Sequence, residues 1–446
     1  MQTLKLNYST DYLIYDLILD FLMVIVLISG YVEHIEMWRM LGVMTLALTF
    51  CLYGNSVYQG LSESRRVVLS GLCLVLVMTL CALFTVSDTY IVQNLKGLFY
   101  AFCPAASYII LTGEGLDRLS DYLRKRLPLL NAVYVVHLYI LSRQIQGTGF
   151  MIKASWLAKN SYYKDQCSGI FGFNSTHSCA LFSIFMLFLN LNYLTEIKGR
   201  YRRLLFITYT LAAEAVMLYC AAFSDNIALF VLTPFFVVLY YYLSGKELGI
   251  LSFVRKHIKQ IAVFLIIIVL IGLALLSVPA VTKTAETVYG RVYRVLYFND
   301  TGVKGSNERL AILVDALSQP FGWLFGYGLG EQPWKGLDLL GYRHFGISSI
   351  GSTTYLCGLW AFAALMAFYI SLSTYAAERS ASLAAYRLKI RAVSFLSLFM
   401  LTVYTTLFIE IRKLLLFLMI MAVMQLRIQP GPLQTDVPTE QTEAGR

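Results

Sequence analysis

Residues 259–300 read KQIAVFLIIIVLIGLALLSVPAVTKTAETVYGRVYRVLYFND, and the fold turns on how this run divides. Its first half, 259–279, carries no charge beyond Lys259 and has the ~20 apolar residues that cross a bilayer core. At Pro279 the character changes, and the chain stays polar to Arg343, the one large polar excursion in an apolar sequence. Arg291, Arg294, Lys304, Arg309, Lys335 and Arg343 supply cationic donors there; Glu286, Asp300, Glu308, Asp315, Glu331 and Asp338 supply carboxylates. Tyr289, Tyr293 and Tyr297 recur every four residues, which on a helix makes one aromatic stripe with Arg291 and Arg294 beside it. A second helix is signalled by Ser306 as N-cap, by the set Leu310, Leu313, Val314, Leu317, and by Pro320 as its end. Two short amphipathic helices on a membrane surface are expected, with residues suited to an anionic, sugar-bearing substrate.

Composition agrees. Of 446 residues, 58% are apolar and 14% charged, with mean hydropathy +0.65. A soluble domain has about a quarter of its residues charged. We expect an all-α polytopic membrane protein: one bundle over 1–429, outer loops 147–173 and 280–345 forming a site, and a disordered cytoplasmic tail over 430–446. The net charge of +10 does not point to nucleic acid, because the basic residues fall mainly between apolar segments. The eight cysteines are scattered without a CxxC pair, which speaks against a disulfide framework or zinc site. No cleaved signal peptide is read, since Asp16 and Asp20 interrupt the first apolar run.

About twelve apolar stretches approach the length of a bilayer span. They are 12–30, 36–54, 66–87, 89–111, 127–146, 174–194, 203–222, 226–243, 259–279, 346–371, 392–408 and 411–427, the last two a tight hairpin. Loops 112–126, 195–203, 244–258 and 372–391 carry Lys and Arg and fall on one side, which makes that side cytoplasmic. Both termini are then inside and 280–345 outside. Arg412 and Lys413, in the last outer turn, break the rule.

Individual residues have competing readings. His344, where the chain re-enters an apolar stretch, is either an interfacial anchor or a general acid/base or phosphate ligand. The long-loop arginines either solvate the surface or hold a diphosphate, for which the guanidinium fork is suited. Arg143 is either a substrate contact or a snorkelling side chain. Lys96 and Glu214, inside spans, read as a structural pair, and Asp225 either binds substrate or caps the next helix. His137 and His177 read as packing residues. Gly326-Tyr327-Gly328-Leu329-Gly330 is superficially similar to a nucleotide loop but opens no helix of a βα unit.

With these motifs placed, the chain resembles the O-antigen ligase/polymerase family of bacterial surface-polysaccharide assembly. The likeness covers roughly 150–370. It includes Asn307-Glu308-Arg309-Leu310 followed by Pro320 and Gly326-Tyr327-Gly328, then His344 and Gly358, with Gly169-Ile170-Phe171-Gly172-Phe173-Asn174 upstream. Ser224-Asp225 stands where the family has Ser-Arg or Ser-Lys, and Lys164 where it has an Arg. The resemblance implies a GT-C-type helical membrane fold, a polyprenyl-diphosphate-linked glycan as donor, and neither metal nor cofactor. Its implied setting is the bacterial cytoplasmic membrane, among lipid, a flippase and a chain-length regulator. The expected site comprises His344 and Glu308 as catalytic groups. Arg291, Arg294, Arg309, Arg343, Lys164, Arg143, Asp225 and Tyr293 would bind diphosphate or glycan. Polymerisation of repeat units is the leading expectation, because the ligase arginine pattern is divergent here. Ligation to another acceptor, a lipid-glycan flippase and a non-catalytic scaffold are the alternatives.

Overall fold

The structure, a computed structural model, describes residues 15–24, 27, 54, 58, 61–62, 64–84, 91–113, 115–147, 150, 167–172, 175–224, 229–245, 252, 255–259, 311–318, 321–327, 348–376, 384–408 and 410–426. Among them there is helix and no strand. In chain order come α1 (Arg65–Leu83), α2 (Ile91–Gly113), α3 (Leu116–Ile145), a 3-10 turn at Gly169–Phe171, and α4 (Thr176–Leu194). Then follow α5 (Arg200–Phe223), α6 (Leu229–Ser244), α7 (Ala311–Ser318), α8 (Gly322–Phe325), α9 (Ser349–Ser373), α10 (Ala384–Tyr404) and α11 (Ile411–Gln425). Four of these, α1, α4, α5 and α9, are long and apolar enough to cross a membrane. Exposed Leu69, Leu72 and Leu76 on α1, with Leu204, Leu205 and Leu211 on α5, are the faces such helices turn to lipid.

One boundary differs from the sequence expectation. α3 begins at Leu116, inside the segment 112–126 expected as a loop. Leu119, Tyr122, Leu123, Leu127, Leu130 and Tyr134 are buried at helical spacing, so one apolar stripe runs on beneath the basic residues. Asp117 in the first turn suits the helix dipole. The helix therefore extends beyond its apolar part. The span expected at 259–279 lies outside the described residues apart from Lys259, as do the tail 430–446 and the Tyr289–Tyr297 stripe.

Core packing centres on α9 and α11. α9 lies against α1, α7, α8 and α10, while α11 lies against α4 and α2. From Lys413 to Gln425 every residue of α11 is buried, as expected of a helix that is apolar all round. At one end of the bundle, Tyr108 Oη donates to Ser373 O at 3.2 Å and Asn192 Nδ2 to Val423 O at 2.8 Å. At the other end, Ser349 N donates to Thr405 O at 2.9 Å and Ser349 Oγ to the same oxygen at 2.7 Å.

Among the described residues the two ends differ in charge. Around the first lie Arg65 and Arg66, Arg118 to Arg126, Lys198 to Arg203, and Arg387, Lys389 and Arg391. Asp16 and Asp20, which interrupt the first apolar run, answer part of this charge. Asp20 Oδ1 accepts from Arg126 Nε at 2.8 Å and from Tyr122 Oη at 2.9 Å, and Asp16 pairs with Arg118 and Lys125, each at 3.6 Å. The opposite end carries Arg143, Arg412 and Lys413.

Candidate functional site

The sparsely charged end is built by three sequence-distant pieces. The first is the glycine–phenylalanine turn before α4. Gly169 N donates to Gln144 Oε1 at 2.9 Å and Ile170 N to His137 Nδ1 at 3.3 Å. Nδ1 is therefore the acceptor, which leaves Nε2 facing Cys179 Sγ at 3.3 Å. His137 also lies edge-on to Phe171 and Phe182 at 5.6 and 5.5 Å. It is a buried packing residue, and it fixes the turn against α3.

The second piece is the segment 311–327, whose first part falls in the helix expected from Ser306 to Pro320. α7 packs on α9, with Ala316 fully buried while Val314 and Leu317 stay exposed. α8 follows, and beyond it the chain meets α9 where that helix breaks. Gly358 has φ 81° and ψ 166°, outside helical geometry. The break frees the Tyr355 carbonyl from its intrahelical partner, and Tyr327 N donates to it at 2.9 Å. The Tyr327 and Tyr355 rings stack at 4.6 Å. The backbones come so close that a Cβ on Gly326 would stand 2.4 Å from Cys357 N, and one on Gly358 2.0 Å from Leu324 O. Gly326 thus serves a helix–loop contact rather than a nucleotide.

The third piece is the turn between α10 and α11. Ser349 holds it by the bonds to Thr405 and by accepting from Leu407 N, while Ser348 caps α9 by accepting from Gly351 N at 3.2 Å. His177 Nδ1 lies 2.8 Å from Thr405 Oγ1, with its ring edge-on to Tyr404 at 4.5 Å. Lys413 Nζ donates to Glu410 Oε1, and to Thr406 Oγ1 at 3.1 Å; Thr406 Oγ1 donates in turn to Glu410 at 2.9 Å. Arg412 Nη2 donates to Ser175 Oγ at 2.9 Å, and the guanidinium lies over the Phe171 ring at 5.7 Å. Burial pushes the Glu410 carboxyl up, but the cations of Lys413 and Arg412 with the Thr406 hydroxyl outweigh it and hold it below its ordinary value.

Of the residues expected at the site, His344, Glu308, Arg291, Arg294, Arg309, Arg343, Lys164, Asp225 and Tyr293 lie outside the described residues. Arg143 is exposed in the last turn of α3, its Nη1 donating to Gln146 Oε1 at 3.1 Å. The described residues nearest to four of the others, namely Cys167, Ser224, Ala311 and Ser348, all belong to the end just built. Sequence reasoning did not place Arg412, Ser175 or Glu410 at the site. The available signal was that Arg412 and Lys413 broke the loop-charge pattern.

Glu214 belongs to a different place. Its carboxylate accepts from Tyr134 Oη at 3.2 Å and from Ser183 Oγ at 3.1 Å, between α3, α4 and α5. The expected pairing with Lys96 falls outside the described residues, because the Lys96 side chain is not among them. Among the described residues no group of His, Cys, Asp and Glu is arranged to hold a metal ion. Four apolar helices of membrane-crossing length, with a polar constellation at one bundle end, are compatible with a helical membrane protein. Comparison with protein-family models, with curated proteins and with solved structures finds no match for this chain.

Proposed function

We propose that the chain is a metal-independent membrane glycosyltransferase that polymerises polyprenyl-diphosphate-linked repeat units at the outer face of the bacterial cytoplasmic membrane. The observation that carries it is the gathering of the turn 167–175, the segment 311–327, the start of α9 and the turn 405–413 at one end of a helical bundle. These are the flanks of the positions where the sequence holds Lys164, Arg309, His344 and Asp225. The opposite end is rich in Lys and Arg, which supports the cytoplasmic orientation of that end, with both termini there.

The chemistry needs no covalent intermediate. An acceptor hydroxyl attacks the anomeric carbon of the donor, the carbon–oxygen bond to the diphosphate breaks, and polyprenyl diphosphate leaves with the bonding electrons. His344 or Glu308 takes the hydroxyl proton, while Arg291, Arg294, Arg309 and Arg343 stabilise charge on the leaving diphosphate. Tyr293, with Tyr289 and Tyr297, stacks on pyranose rings. A flippase would place unneutralised charge in the bundle interior; Glu214, with both oxygens bonded to hydroxyls, does not serve that purpose.

Gene deletion with complementation tests the proposal. Cells without the protein should accumulate lipid carrying one repeat unit, and the intact chain should restore long polymer. His344→Ala should restore it about 10²–10⁴-fold more slowly, the cost of a lost general base. His344→Gln separates roles: a ligand survives it in part, a base does not. Normal chain-length distribution in the deletion strain contradicts the proposal.

A further inference from the structure

We infer that Arg412, with Ser175, forms a buried binding site for the phosphate oxygens of a lipid-linked diphosphate, entering from the sparsely charged end of the bundle. Charge is the first ground. The turn 405–413 holds two cations, Arg412 and Lys413, and one carboxylate, Glu410, which Lys413 engages. Among the described residues Arg412 hydrogen-bonds only to a neutral hydroxyl, that of Ser175, and Glu410 acts on it through space without a hydrogen bond. Arg412 Nε and Nη1 are shut off from solvent and have no hydrogen-bond partner among the described residues. A buried guanidinium with unmet donors is costly unless an anion completes it. At the opposite end Arg126 and Arg118 are each matched by an aspartate, so the deficit at Arg412 is local.

Position is the second ground. Arg412 lies in the first turn of α11, where a cation opposes the helix dipole, while an anion held there is favoured by both. The Ser178 hydroxyl, three residues after Ser175 and on the same helical side, is likewise buried without a partner.

Guanidinium geometry selects the ligand. Nε shares the side edge of the fork with Nη2, whereas Nη1 shares the terminal edge with it. With one Nη2 hydrogen given to Ser175, one edge can still donate bidentately to a phosphate, while the unmet nitrogen of the other edge can donate to a second. Two unmet nitrogens on different edges therefore suit a diphosphate better than a monophosphate. Entry requires movement, because both nitrogens are closed to solvent. That the diphosphate carries a glycan rests on the proposed function; the phosphate chemistry of the site does not.

The test uses purified full-length protein in detergent micelles, with binding read as a saturable rise in unfolding temperature. Farnesyl diphosphate should bind more tightly than farnesyl monophosphate or inorganic pyrophosphate, and farnesol should not bind. Arg412→Gln should weaken farnesyl diphosphate at least tenfold. Arg412→Lys, which keeps the charge without the fork, should fall between and serves where the Gln variant does not fold. Equal affinity for farnesol and its diphosphate in the intact protein overturns the inference, as does unchanged affinity in either variant. Full competition by phosphatidylglycerol vesicles overturns it in favour of a phospholipid headgroup. If polymer forms normally while binding ignores residue 412, the inference fails and the glycosyltransferase reading stands. If the intact chain never makes polymer, that reading fails whatever binds at Arg412.

Discussion

Gly358 sits 2.0 Å, by its absent Cβ, from the Leu324 carbonyl oxygen, and its backbone has φ 81°. Both facts exclude a side chain there. Gly358→Ala should destabilise the protein by on the order of 3 kcal/mol, combining an unfavourable backbone region with a clash against main chain that cannot rotate away. Thermal unfolding in detergent measures this; an unchanged midpoint means that the loop does not dock at the break. In the sequence Gly326 and Gly358 were visible only as members of a pattern. Their reason is mutual contact over thirty residues of chain, and no local rule reveals a pairing at that range. Arg412 was half legible: its exception to the charge rule showed, whereas its unmet donors depend on Ser175 and Phe171 arriving from another helix.

The α10–α11 turn is the element most exposed to pH. Glu410 is held below its ordinary value by Lys413, Arg412 and Thr406 against the effect of burial. A depressed folded value means that its stabilisation is full above the unfolded carboxylate range and is lost as pH falls through the folded value. The intact protein should therefore lose thermal stability as pH drops below about 4, the unfolded carboxylate value. Glu410→Gln should be less stable near neutrality, by about 2 kcal/mol. That is less than the 3–5 of a fully buried pair, because a third of the Glu410 side chain (33%) remains exposed. Its stability should also change less on acidification. Parallel pH profiles for the two proteins would remove Glu410 from the clamp. The helical hairpin itself was readable from two apolar runs around a short polar turn. The length of α3 was not, because Arg124, Lys125 and Arg126 lower the hydropathy of a stretch whose opposite face is buried. α7 was readable as a helix and α8 was not, since the expected helix ended at Pro320; the docking of both against α9 depends on the break at Gly358.

At the scale of the molecule, composition and the run 259–279 indicated a helical membrane architecture. The described helices coincide with most of the expected apolar stretches. What the sequence could not show is which polar segments share an end of the bundle, since that depends on packing among α4, α9 and α11. The proposed orientation rests on the charge difference between the ends among the described residues. Single cysteines placed in 147–173 and 280–343 should be labelled in intact cells by an impermeant maleimide, and those in 112–126 and 372–391 should not. Labelling of 112–126 from outside would invert the bundle. The most direct measurement is reconstitution: purified protein in liposomes, supplied with a polyprenyl-diphosphate-linked repeat unit and no other enzyme. Polymerisation predicts lengthening glycan on lipid together with one polyprenyl diphosphate released for each bond formed. Donor that stays monomeric, or that merely crosses the bilayer unchanged, contradicts it.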